Sequence, residues 1–158
     1  MKNLLLPILA VTFLLCSCAT GKIVNMEDDP YVEYFGELEA PQDQLFVSTN
    51  KWMIKVFKDA RNIIQYSDKE QGVIMGKYLL SEDVFFQGNL IGPVLNIQIN
   101  AIIDIRLRDN NARFSITPLG NWVESSYQGY SKERANEDME MLADNFYTFL
   151  LKDLEEYY

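Results

Sequence analysis

Acidic side chains outnumber basic ones 23 to 14 among 158 residues, and the chain has no histidine and only two cysteines. An acidic surface repels phosphate backbones, which excludes nucleic acid as a partner, and the missing histidine removes a Ser-His-Asp triad and any histidine-ligated zinc. With 48% apolar and 13% aromatic residues the chain is built to bury a core, so intrinsic disorder is excluded as well.

Met1-Lys2-Asn3 lead into an apolar run, Leu4–Leu15, which ends in Leu15-Cys16-Ser17-Cys18. One lysine, about a dozen apolar residues and a small residue before a cysteine make a secretory signal peptide. The ending resembles the bacterial lipobox, with Leu15 and Ser17 at the −3 and −1 positions and Cys18 as the residue that carries lipid. Cys16 fits worse, because bulky Leu15 would then sit at the small-residue position. The run is too short for a membrane span, which takes about 20 residues. It is also apolar all round, unlike the amphipathic buried helix of a cytosolic protein. Residues 1–17 are therefore expected to be a lipoprotein signal peptide, 18–30 the lipidated cysteine and a tether, and 31–158 a single domain. Two or three acyl chains would anchor the protein stably in the bacterial envelope, in its outer membrane. Cys16 would leave with the signal and Cys18 would be consumed by lipid, so neither a disulfide nor a cysteine nucleophile would remain. The mature chain would carry 13 basic and 23 acidic residues, a net charge of −10.

Ala19–Asp29 reads as a polar linker. Its Glu27-Asp28-Asp29 run lacks the spacing and turn glycine of a Ca²⁺ loop, which supplies about six oxygens. Tyr31–Leu38 predicts a first strand. Ala40-Pro41-Gln42-Asp43 opens a helix, and from Gln44 to about Asn62 an apolar stripe follows: Phe46, Met53, Phe57, Ala60 and Ile64, widened by Leu45, Trp52, Val56 and Ile63. The period then becomes two, with strands expected over Ile63–Ser67 and Val73–Leu80 around the turn-rich Asp68–Gly72. Ser81–Gly92 reads as an irregular loop, and its Phe85 and Phe86 are a candidate contact point for a partner.

Leu95–Leu107 carries the clearest signal. Every odd position is apolar, and the even positions include Asn96, Gln98, Asn100, Asp104 and Arg106. Such alternation predicts a long strand with one face on the core and one in water. Asp109-Asn110-Asn111 supplies a turn, with a two-residue Asn110-Asn111 loop expected, and Arg113–Thr117 returns with Phe114 and Ile116 inward. Gly120–Tyr130 reads as a loop. Ser131 is the expected cap of a last helix running to about Glu156, with Ala135, Met139, Leu142, Phe146, Phe149 or Leu150, and Leu154 on one stripe.

The order β-α-β-β-β-β-α, with one apolar stripe on each helix, predicts an α+β fold: a curved antiparallel sheet with both helices on one face and the other face open. Asn50-Lys51-Trp52-Met53-Ile54-Lys55-Val56-Phe57, the stretch Ile64–Lys77 with its Gln65-Tyr66-Ser67-Asp68 and Gly72-Val73-Ile74-Met75-Gly76, the long strand with its Arg-Asp-Asn turn and the Arg113-Phe114 return together resemble domain of unknown function 4468. That family is similar in fold to half of the TATA-box-binding protein and is common in envelope proteins of Bacteroidetes. The resemblance spans Tyr31–Leu154 and implies the fold. The family has no assigned activity, ligand or catalytic residue to carry over.

Three functions are weighed. In the first, a non-enzymatic envelope lipoprotein uses the open face for recognition, through Asn96, Gln98, Asn100, Arg106, Arg113, Ser115 and Thr117. Amide and guanidinium groups on a rigid sheet suit a protein, peptide or glycan partner, and the competing reading is that they only solvate the strand. In the second, a structural or assembly subunit self-associates through that face or the sheet edges. In the third, a hydrolase uses paired carboxylates such as Asp104 and Glu124, which would need to face one another about 5–10 Å apart. A lipid site between sheet and helices would need small residues along the helix stripes, and these are large. No catalytic residue, metal ligand or cofactor is expected; the membrane is met only through lipid on Cys18.

Overall fold

A computed structural model describes residues 22–25, 29–57, 59–86, 94–124, 130 and 132–156. Residues 1–21, which include the segment expected to be a signal peptide and Cys18, lie outside them, as does Ser131. The main sheet has five antiparallel strands: β2 (Tyr31–Phe35), β3 (Ile64–Asp68), β4 (Val73–Phe86), β5 (Val94–Arg108) and β6 (Asn111–Leu119), in spatial order β2-β6-β5-β4-β3. Two long helices, α1 (Gln42–Val56) and α3 (Lys132–Glu155), pack against each other and on one face of the sheet. This is the α+β architecture expected from the alternation and the helical stripes.

The inward face holds Ile103, Ile105 and Leu107 of β5, Ala112, Phe114 and Ile116 of β6 and Ile74 of β4, all fully or nearly fully buried. The helices contribute Leu45, Trp52 and Met53 from α1 and Met139, Phe146 and Leu150 from α3. An aromatic cluster joins the layers: the Trp52 ring lies edge-on to Phe146 at 5.0 Å and to Phe114 at 5.9 Å, and Phe114 stacks on Phe146 at 5.1 Å. Offset and edge-on pairs at such separations are favoured by the ring quadrupoles beyond their burial alone. The Trp52 indole N–H donates to Asn145 Oδ1 at 2.9 Å, so its one polar atom is satisfied. Asp153 ties the helices together, accepting from Ser48 Oγ (2.6 Å) and from Lys51 Nζ (3.0 Å).

Several boundaries differ from expectation, each for a physical reason. The first helix stops at Val56, where Phe57 turns extended and sets its ring against Trp52 and Tyr78; Ala60–Ile63 then form a separate short helix, α2. The segment Ser81–Phe86 is strand rather than loop, because β5 is long enough to pair with all of it, through Phe85↔Leu95 and Phe86↔Val94. A bulge between Leu79 and Ser81 shifts that register and bends the sheet. Two stretches read as linker and loop contain strands: β1 (Lys22–Asn25) pairs antiparallel with β7 (Asn121–Glu124) in a small second sheet. The hairpin loop between β5 and β6 is Asp109-Asn110, one residue earlier than expected, since Arg108 pairs with Asn111. Parity is conserved either way, and Asn110 takes the left-handed conformation (φ 61°) that asparagine tolerates.

Candidate functional site

Among the described residues no helix lies over one face of the five-stranded sheet, and cross-strand register arranges its side chains in rows. One row runs Val32, Ser115, Asp104, Met75, Tyr66; the next runs Tyr34, Arg113, Arg106, Val73, Asp68. Two arginines thus stand directly opposite each other on adjacent strands, an arrangement that like-charge repulsion disfavours. Arg108 follows at the next same-face position of β5, opposite Asn111.

Asp104 relieves part of this crowding. Arg106 Nε donates to both carboxylate oxygens of Asp104 at 3.2 Å, and Nη2 donates to Oδ2 at 3.1 Å. Those hydrogen bonds and the carboxylate charge hold the Arg106 guanidinium above the usual arginine range. Arg113 Nη1 lies 3.7 Å from the same Oδ2, an ion pair too long for a hydrogen bond, and its guanidinium sits 6.0 Å from the centre of the Tyr34 ring. Tyr34 itself is 74% exposed. Arg106 and Arg113 therefore share one carboxylate, and with Arg108, Tyr34 and Asn111 they line a cavity of about 460 Å³.

Residues 38–120 match the sequence profile of domain of unknown function DUF4468, described as having a TBP-like fold. The chain belongs to this family. Among solved structures it is similar to a DUF4468 family protein from Bacteroides ovatus, at 17% identity and a TM-score of 0.46 over 79% of this chain and 85% of that one. It is also similar to a TBP-like protein from Parabacteroides distasonis, at 11% identity and a TM-score of 0.48 over 80% and 92% of the two chains. No curated protein matches the chain.

On this DUF4468 sheet the residues singled out from sequence fall into two groups. Arg106 and Arg113 meet at the hairpin end of β5 and β6. Ser115 shares their face but is only 5% exposed, so it offers little surface to a partner. Thr117 is half-buried farther along β6, opposite Ile102. Gln98 and Asn100 lie toward the other end of β5, eight and six residues from Arg106, roughly 20–26 Å at strand spacing. Gln98 Nε2 donates to Glu82 Oε1 across the strands at 3.3 Å. Asn96 pairs with Val84 in the same ladder. The residues expected on the open face thus share it, with Arg106 and Arg113 at one end and Gln98 and Asn100 toward the other.

Phe85 and Phe86 lie in β4, on a ladder rather than a loop, and their side chains lie outside the described residues. The same holds for the side chain of Glu124, which sits in β7 opposite Lys22. Among the described residues Asp104 meets guanidinium groups and not a second carboxylate. Among the described residues no group of three or more histidine, cysteine or acidic side chains is placed to hold a metal ion, and no helix is long and apolar enough to cross a membrane.

Sequence reading missed Tyr34, Arg108 and Asn111. Arg108 shared the even-position pattern of β5 and could have been included from parity alone. Tyr34 could not, because its placement beside Arg113 depends on β2 pairing with β6, a long-range register that no local pattern encodes.

Proposed function

We propose that this chain is a non-enzymatic binding protein, held at the bacterial envelope by lipid on Cys18, that recognises a protein, peptide or glycan partner on its open sheet face. The single observation that supports the reading most is the row Tyr34–Arg113–Arg106, uncovered by any helix among the described residues and held on paired strands. Rigid backbone lowers the ordering cost of recognition, and exposed arginine and tyrosine are the side chains that interfaces favour. The Leu15-Cys16-Ser17-Cys18 pattern supports the anchor.

The test is affinity capture from detergent-solubilised envelopes with the lipidated full chain as bait, beside a variant carrying Gln98→Ala, Arg106→Ala and Arg113→Ala. A partner retained by the wild type and lost by the variant is the expected result. Equal recovery by both baits would remove the open face from consideration. A Cys18→Ser chain prepared alongside is expected to leave the membrane fraction.

A further inference from the structure

The arginine corner has features that solvation of a strand does not require. The protein carries a formal charge of −9, yet three of its five arginines, Arg106, Arg108 and Arg113, line one cavity. Two of them are directly opposed across the β5–β6 ladder, where repulsion is greatest. Asp104 is the one carboxylate bonded into the group, and it engages Arg106 through Nε and Nη2 only. Among the described residues the side chains of Arg108 and Arg113 donate no hydrogen bond to protein, and Arg113 has only its long ion pair with Asp104 and the Tyr34 ring beside it, so most of the donor edges of two guanidinium groups are available to a ligand. Beyond Asn111 a second cleft bounded by Glu37 and Glu39 begins, which confines the positive corner to the one cavity.

Guanidinium forks match the two oxygens of a carboxylate or phosphate and bind them through paired, charge-assisted hydrogen bonds. A volume of about 460 Å³ lies in the range of small-ligand sites, and the exposed Tyr34 ring offers a flat apolar wall beside the charge. We propose that this corner is an oxyanion-binding site: Arg106, Arg108 and Arg113 grip a carboxylate or phosphate group, and Tyr34 packs against the moiety that carries it. The inference rests on the open-face reading and narrows its ligand to an anionic one. It also makes Asp104 a positioning residue, which aims Arg106 and keeps the empty site from excessive repulsion.

The experiment follows the arginine Nε–H resonances of the ¹⁵N-labelled full chain in nonionic detergent at low salt. Sodium benzoate, uncharged benzamide and inorganic phosphate are titrated in turn. Saturable shifts with benzoate and none with benzamide are expected; Arg108→Gln should weaken binding about tenfold. Lys77→Gln removes the same charge from the same face, farther along the sheet, and should leave affinity unchanged. Binding of phosphate without benzoate would support the oxyanion site with a phosphoryl group as the source of charge. No saturable shift with either anion overturns the proposal, and so does equal weakening by Arg108→Gln and Lys77→Gln, which would mean a diffuse field rather than a site. A partner captured through the open face together with no anion response would leave the open-face reading standing and defeat this one. Anion binding without any partner lost from the triple variant would do the reverse.

Discussion

Gly72 shows how much of the site depends on single positions that do not line it. It takes a left-handed conformation (φ 66°), its carbonyl accepts from the Leu107 N–H at 2.7 Å, and a Cβ there would lie 2.3 Å from the Leu107 carbonyl oxygen. The same corner is fastened by Gln42, whose amide donates to the carbonyls of Lys69 and Glu70, and by Asp109, whose carboxylate accepts from the Gln42 N–H at 2.8 Å. Asp109 thereby caps α1 from a distant turn, in place of Pro41, which has no side-chain donor or acceptor to offer. Gly72→Ala is expected to cost about 2–3 kcal/mol, a fall of roughly 5–10 °C in Tm, from strain and the backbone clash. Gly36→Ala, where the new Cβ meets nothing closer than Asn111 Oδ1 at 3.5 Å, should leave Tm nearly unchanged. Thermal unfolding followed by circular dichroism compares the two.

At the scale of elements, the helix layer and the sheet are coupled through aromatic rings. Phe146 is fully buried and touches Trp52, Phe114 and Phe35 at once. Phe146→Ala should therefore lower stability by about 3–5 kcal/mol in urea titrations, because the cavity opens between rings that cannot collapse together. This layer was legible from sequence: the stripes on α1 and α3 and the alternation of β5 record burial directly in residue spacing. Ser81–Phe86 was not legible, since Glu82 and Asp83 interrupt any apolar alternation and the strand exists because β5 extends beside it. The β1–β7 pair was missed for a related reason, as a four-residue strand takes its conformation from a partner about a hundred positions away. The arginine corner lies between these cases. Arg106 and Arg113 followed from parity, whereas their opposition and the addition of Tyr34 came from the alignment of three strands.

For the molecule as a whole, buried tyrosines set a limit on alkaline stability. Burial raises the Tyr78 hydroxyl, and the nearby Asp138 charge adds to it; burial and a hydrogen bond to Asp138 (2.7 Å) do the same for Tyr130. Both stay protonated in the fold at a pH where the unfolded chain ionises, so the native state binds more protons and stability falls as pH rises. The loss should begin near pH 10, the ordinary tyrosine value, and reach about 1.4 kcal/mol per pH unit for each tyrosine. Urea midpoints between pH 8 and 11 check this, and Tyr78→Phe should make the decline shallower. The order of the strands has another consequence for the whole chain. The meander from β3 to β6 pairs neighbours in sequence, but β2 pairs with β6, joining Tyr31 to Ile116 across roughly 85 positions. A ribosome adding about 5–20 residues per second holds β2 without its partner for roughly 4–17 seconds. The strand that completes the arginine corner is therefore among the first made and the last to find its place.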